Sequence, residues 1–168
     1  MEFENVIKER MSVRRFKNTE IESEKLTKIL EAGRLAPTAK NLQPQKIFVI
    51  QTKENLAKID DASPCRYGAP TVLLVCSDKT KCFSKPDFSS YEMDASIVAT
   101  QMMLEATNLG LGSIWIELFD AQKLKNHFNL GENLVPVCLM PIGYKADDYI
   151  SSVNYLNRKD LSEMVEYL

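Results

Sequence analysis

Near the start of the chain, the run Glu9-Arg10-Met11-Ser12-Val13-Arg14-Arg15-Phe16 gathers three guanidiniums and a hydroxyl. Arginine presents a planar fork of donors that meets phosphate oxygens two at a time, and a serine hydroxyl adds a short donor that approaches closely. The run therefore has the chemistry of a phosphate grip, and a solvated basic turn is the other reading of the same residues. A second polar stretch, Pro37-Thr38-Ala39-Lys40-Asn41-Leu42-Gln43-Pro44, is stiffened by a proline at each end. Its Thr38, Asn41 and Gln43 suit the edge of a heteroaromatic ring, although many such stretches only connect a helix to a strand.

The elements that must position these groups follow from periodicity. Phe3, Val6, Ile7 and Met11 recur at helical spacing, which predicts a short helix over 2–10 that delivers Arg10 to the basic run. Ser23 reads as the N-cap of a second helix with Leu26, Ile29, Leu30 and Gly33 on one face, stopped by Pro37. Ile47 to Ile50 reads as a buried strand, Thr52 to Ile59 as a capped helix, and the wholly apolar Thr71 to Cys76 as a central strand. Residues 78–91 read as an exposed loop.

From Met93 to Leu109 a helix apolar on nearly every face is expected, which requires burial in a deep core or against a second copy of the chain. Gly110 ends it, Gly112 permits close backbone approach, and Ser113 to Leu118 reads as a strand. Asp120 caps a helix to about Phe128, Val135 to Ile142 is a further strand, and a last helix is expected over 159–167.

The bulk numbers exclude several roles. A length of 168 residues fits a single domain over 1–168, with 45% hydrophobic residues for a core and 26% charged residues. A net charge of −2 gives no general attraction to nucleic acid or to anionic lipid. Cys65, Cys76, Cys82 and Cys138 form no C-x-x-C pair, and His127 is the only histidine, which argues against a metal site and for free thiols in a reducing cytoplasm. No run is apolar for long enough to span a membrane, and the first residues lack the pattern of a signal peptide. There is no dinucleotide fingerprint, nucleophile elbow or paired-carboxylate arrangement, as expected where a cofactor carries the chemistry.

Three ordered motifs carry a family resemblance: Arg10-x-Ser12-x-Arg14-x-Phe16, then Ala36-Pro37-Thr38-x-x-Asn41-x-Gln43-Pro44, then Gly110-Leu111-Gly112-Ser113-x-Trp115-Ile116. In this order the chain resembles the FMN-dependent nitroreductases from about residue 3 to 160. The resemblance implies an α+β fold, with a central, largely antiparallel sheet flanked by helices and an interlocked homodimer holding two flavin sites. It implies FMN as cofactor, NAD(P)H as electron donor and a flat small-molecule acceptor such as a nitroaromatic or quinone, in ping-pong turnover.

By position, Arg10, Met11, Ser12 and Arg14 would hold the phosphate and ribityl chain, with Arg158 completing the phosphate site and Arg14 also tuning the flavin's potential. Pro37, Thr38, Ala39 and Asn41 would reach the partner's flavin, and backbone at Ile116, Glu117 and Leu118 would meet the hydride-accepting nitrogen. No side chain of the protein is implied as a catalytic acid or base. Gln45 stands where many relatives have tryptophan, and Glu117 where many have glycine. Two other readings stay open at this point: a flavin carrier without enzymatic activity, and a flavoenzyme of the same fold with another reaction, such as reductive dehalogenation or flavin destruction.

Overall fold

The computed structural model describes residues 1–150 and 157–168. Its centre is a four-stranded sheet in the order β1-β2-β6-β5, made of β1 (Gln45–Ile50), β2 (Thr71–Asp78), β6 (Leu134–Gly143) and β5 (Gly112–Ser113), with every adjacent pair antiparallel. A two-residue hairpin, β3 (Ser84–Lys85) with β4 (Phe88–Ser89), stands apart from it. The helices are α1 (Phe3–Glu9), α2 (Ser23–Arg34), α3 (Lys53–Ala62), α4 (Tyr91–Asn108) and α5 (Ala121–Phe128).

Alternation along β2 divides the core in two. Leu73 and Val75 join α2 and α4 on one face, while Val72, Leu74 and Cys76 join α3 and α5 on the other. The strand is apolar throughout because both faces are covered. In β6 the register against β2 shifts beside Pro136, a place where a residue without an N–H does little harm to the ladder.

The α4 helix is the inner layer of the larger cluster. Ala95, Val98, Ala99, Met102, Met103 and Ala106 are buried on its core side, and Gly33 of α2 packs so closely that an added Cβ would lie 2.8 Å from Met102 Cγ. Met93 and Ile97, one turn apart on the other side, remain 54% and 41% exposed. The expected burial of this helix is therefore met on one face only by its own chain.

The structure corrects several sequence expectations. Among the described residues β1 is an edge strand with Val49 exposed, not a buried one, because β2 alone pairs with it there. Glu22, not Ser23, is the N-cap of α2. The expected strand Ser113 to Leu118 is reduced to β5 and a single bridge between Ile116 and Leu139. The loop 78–91 contains the hairpin. The expected helix 159–167 is one 3-10 turn at Leu161–Glu163 on an exposed segment; a short helix without tertiary packing does not repay its nucleation.

Two capping predictions hold. Thr52 accepts from Asn55 N–H, and Asp120 accepts from both Gln122 and Lys123 N–H.

Asp61 of α3 pins α5, with Oδ2 2.9 Å from His127 Nε2 and Oδ1 accepting from Lys123 Nζ at 3.0 Å. His127 first, then Lys123, holds the Asp61 carboxyl below its ordinary value. A depressed folded-state pKa stabilises above the unfolded value and is lost as pH falls through the folded one. Asp61→Asn is therefore expected to lose a small stabilisation at neutral pH and to converge with the parent in acid, flattening the acid limb, as read by urea midpoints across that range. An acid limb as steep as that of the parent would refute the pin.

Candidate functional site

The basic run is held as an extended rail. Ser12 bridges Ser113 in parallel, Val13 N–H donates to Ser113 carbonyl at 3.0 Å, and Phe16 bridges Lys145. Tyr149 Oη donates to Ser12 carbonyl at 2.6 Å. Successive side chains of an extended segment face opposite ways, and Val13 is wholly buried, so Ser12 and Arg14 face away from the core. Gly112 makes that burial possible: a Cβ there would lie 2.6 Å from Val13 Cγ2.

The three guanidiniums are not equivalent. Arg10 sits at the C-cap of α1, with its N–H donating to Val6 carbonyl. Arg15 pairs with Asp148 at 2.9 Å and is neutralised there. Arg14 is exposed and lies against the Tyr67 hydroxyl, which also contacts the Cys65 thiol. The Cys65 contact and burial push the Tyr67 phenol up, while Arg14 opposes them. Tyr67 has φ +55, a left-handed conformation that a bulky residue adopts only under constraint. Its neighbour Arg66 is committed elsewhere, forked onto Asp60 at 2.7 Å and donating to Ala69 carbonyl.

The loop after α2 is strained. Lys40, Asn41 and Gln43 all have positive φ, at an expected cost of about 1–2 kcal/mol each. Thr38 Oγ1 accepts from Gln43 N–H and Gln43 Nε2 donates to Asn41 carbonyl, so these groups are spent on shaping the loop. Ala39 N–H donates to Asp94 Oδ1 at 2.8 Å. Pro37 and Asn41 are exposed.

After the third motif, Ile116 is fixed to Leu139 by two backbone hydrogen bonds, and the Glu117 carboxylate accepts from Trp115 Nε1 at 3.0 Å. Glu117 and Leu118 are exposed, and neither backbone N–H has a protein acceptor among the described residues. Ser63 Oγ fixes the turn through Leu118 carbonyl at 2.7 Å.

The structure thus brings Met11, Ser12 and Arg14 together with the short strand β5, and holds the loop 37–41 and the turn 116–118 as separate surfaces. Arg158 lies on the exposed segment near the C-terminus, where Nη1 donates to Asn157 carbonyl. No described contact joins it to Arg10, Ser12 or Arg14. A cleft of about 530 Å³, lined by Asn18, Gln51, Lys53, Asp60 and Arg66 among others, holds none of the residues expected to bind a cofactor. Beside the rail, Met11, Val13, Gly112 and Lys145 line only about 70 Å³.

Sequence reasoning missed both Asp94, hidden in a helix read as apolar, and Tyr67. Charge at an otherwise buried position was the one signal for the first.

The model of the nitroreductase family matches residues 7–66 and 63–144, most of the chain. The chain belongs to the nitroreductase family. A nitroreductase family protein of Clostridium difficile 630, known from its crystal structure, is 38% identical, with 99% of this chain and 98% of that one aligned at a TM-score of 0.92. A protein of Methanothermobacter thermautotrophicus, provisionally named an NADH dehydrogenase/NAD(P)H nitroreductase, is 30% identical over 88% of this chain and 80% of its own length. A provisionally named nitroreductase of Exiguobacterium sibiricum, solved in complex with FMN, is 22% identical and shares the fold at a TM-score of 0.86, over 100% of this chain and 98% of that one. The nitroreductase fold expected from the three motifs is the fold observed. No helix among the described residues is long and apolar enough to cross a membrane.

Proposed function

We propose that this chain, as one domain over 1–168, is an FMN-dependent oxidoreductase of the cytoplasm that takes electrons from NADH or NADPH and passes them to nitroaromatics, quinones or similar flat acceptors. The observation that carries the reading is the rail: Ser12 and Arg14 face outward because Val13 is locked inward against Gly112. The donor set fits FMN. Guanidinium forks and a hydroxyl suit its phosphate and ribityl oxygens, and Ser113 Oγ, buried beside Ser12 with no partner among the described residues, is a polar group still to be satisfied.

Bound FMN would supply the chemistry, accepting hydride from the nicotinamide and delivering electrons to the acceptor in separate half-reactions. The protein's part is to bind and orient. Arg10, Met11, Ser12 and Arg14 hold the phosphate side and Arg158 completes it, while Ile116, tied to Leu139, sets the turn at which Glu117 and Leu118 offer backbone N–H groups without an acceptor among the described residues. Pro37, Thr38, Ala39 and Asn41 serve the site of the second subunit. Glu117 adds an exposed carboxylate to that turn, held by Trp115.

A homodimer is part of this reading. The cleft that the described residues form beside the rail, about 70 Å³, is too small for a flavin, and the chain leaves Met93, Ile97, Leu161, Met164 and Tyr167 each more than two-fifths exposed. Protein purified or reconstituted should carry one FMN per chain and sediment as a dimer at low micromolar concentration. Recovery of FAD in place of FMN, or a stable monomer with full flavin, would contradict the proposal.

A further inference from the structure

We propose that Asp94 is a positioning residue that fixes the strained loop 37–43 and locks the hairpin 84–89 to it as one unit; the functional part of this inference rests on the flavin reading above. Asp94 is 2% exposed, in the first turns of α4. Burying a carboxylate is costly unless its oxygens are satisfied. Among the described residues no cation pairs with it. Its two oxygens are used separately: Oδ1 accepts from Ala39 N–H at 2.8 Å, and Oδ2 accepts from Ser90 Oγ at 2.7 Å.

Those contacts close a ring. Ser90 Oγ also accepts from Phe83 N–H at 3.1 Å, and Ser90 N–H donates to Phe83 carbonyl at 2.9 Å, which fixes the base of the hairpin. The Lys40 ammonium lies 4.6 Å from the centre of the Phe83 ring, joining hairpin and loop a second time. The path Ala39, Asp94, Ser90, Phe83, Lys40 therefore returns to its starting loop. Asp94 does not cap its own helix; it reaches 55 positions back along the chain to hold a backbone N–H. Three left-handed residues at 40, 41 and 43 persist only where the surroundings overdetermine them, and Asp94 is the buried anchor next to the first of them.

The ring is tested first on protein without flavin, by backbone hydrogen exchange of the parent, Asp94→Ala, Asp94→Asn and Ser90→Ala. In Asp94→Ala, exchange should rise together in 38–43 and 83–90, by about tenfold or more, while β2 and β6 keep their protection. Asp94→Asn keeps an acceptor for Ala39 N–H and should restore most of it. Loosening of one segment alone, or protection as in the parent in a folded Asp94→Ala, overturns the ring. Should Asp94→Ala not fold, Ser90→Ala decides: loop exchange that rises with hairpin exchange supports the ring, and an unchanged loop overturns it.

The role toward flavin is read separately by titration with FMN, where Asp94→Ala should bind about tenfold more weakly and shift the visible flavin spectrum, with Asp94→Asn close to the parent. If the segments loosen as expected while affinity and spectrum do not move, positioning is overturned. If the parent itself binds no FMN, the flavin reading falls and the ring stands on its exchange data.

Discussion

Arg14→Ala should weaken FMN binding by about tenfold to a hundredfold, the cost of one charge-assisted hydrogen bond, and should also lower the midpoint potential of the flavin that remains bound. Arg14 faces outward from the rail and meets Tyr67, while the family resemblance sets it at the pyrimidine edge. A cation placed where negative charge gathers on reduction stabilises the reduced form more than the oxidised one, and only such a difference moves a potential. Arg10→Ala should weaken binding and leave the potential in place, because a phosphate keeps its charge. Arg15→Ala should do neither, since Asp148 already holds that guanidinium at the surface. Titration with FMN and potentiometry of the saturated variants separate the three. An Arg14→Ala protein with the parent potential would make Arg14 a phosphate ligand only.

Gly112→Ala is expected to cost about 1–3 kcal/mol of stability, as overpacking does, and to weaken FMN binding although residue 112 offers no side chain to a ligand. The new Cβ would lie 2.6 Å from Val13 Cγ2 and 3.0 Å from Lys145 Cγ, and Val13 has no room to retreat because it is wholly buried. The clash must push the rail, and with it Ser12 and Arg14. Val13→Ala in the same chain removes the nearest methyl and should recover part of both losses, a coupling that urea unfolding and FMN titration would each register. Additive losses in the double variant would mean that the rail is not what Gly112 protects.

The parts of this fold that were legible in the sequence are those decided by local pattern. Amphipathic spacing marked α2, the unbroken apolar run marked β2 as central, and Thr52 and Asp120 announced α3 and α5 through capping chemistry. What was not legible depends on partners far along the chain. Ile47 to Ile50 look buried as residues, yet no described strand pairs on the outer side of β1. Lys159 to Tyr167 read as a helix but are exposed throughout, with no packing from the described residues to support one.

The site divides the same way. Arg10, Ser12 and Arg14 stand in one short run and could be read directly, and Gly112 announced a close approach without naming Val13 as the neighbour. Tyr67 meets Arg14, and Asp94 meets Ala39, only through tertiary contacts that no spacing encodes.

The central claim, that the rail serves a flavin reduced by a nicotinamide, is tested most directly by rapid mixing of the FMN-loaded protein with NADH and, separately, NADPH in the absence of acceptor and oxygen. The account predicts that at least one donor bleaches the flavin absorbance in a single turnover, and that adding a quinone or nitroaromatic afterwards restores it. Flavin that stays oxidised with both donors, or that bleaches only when the acceptor is already present, would contradict it.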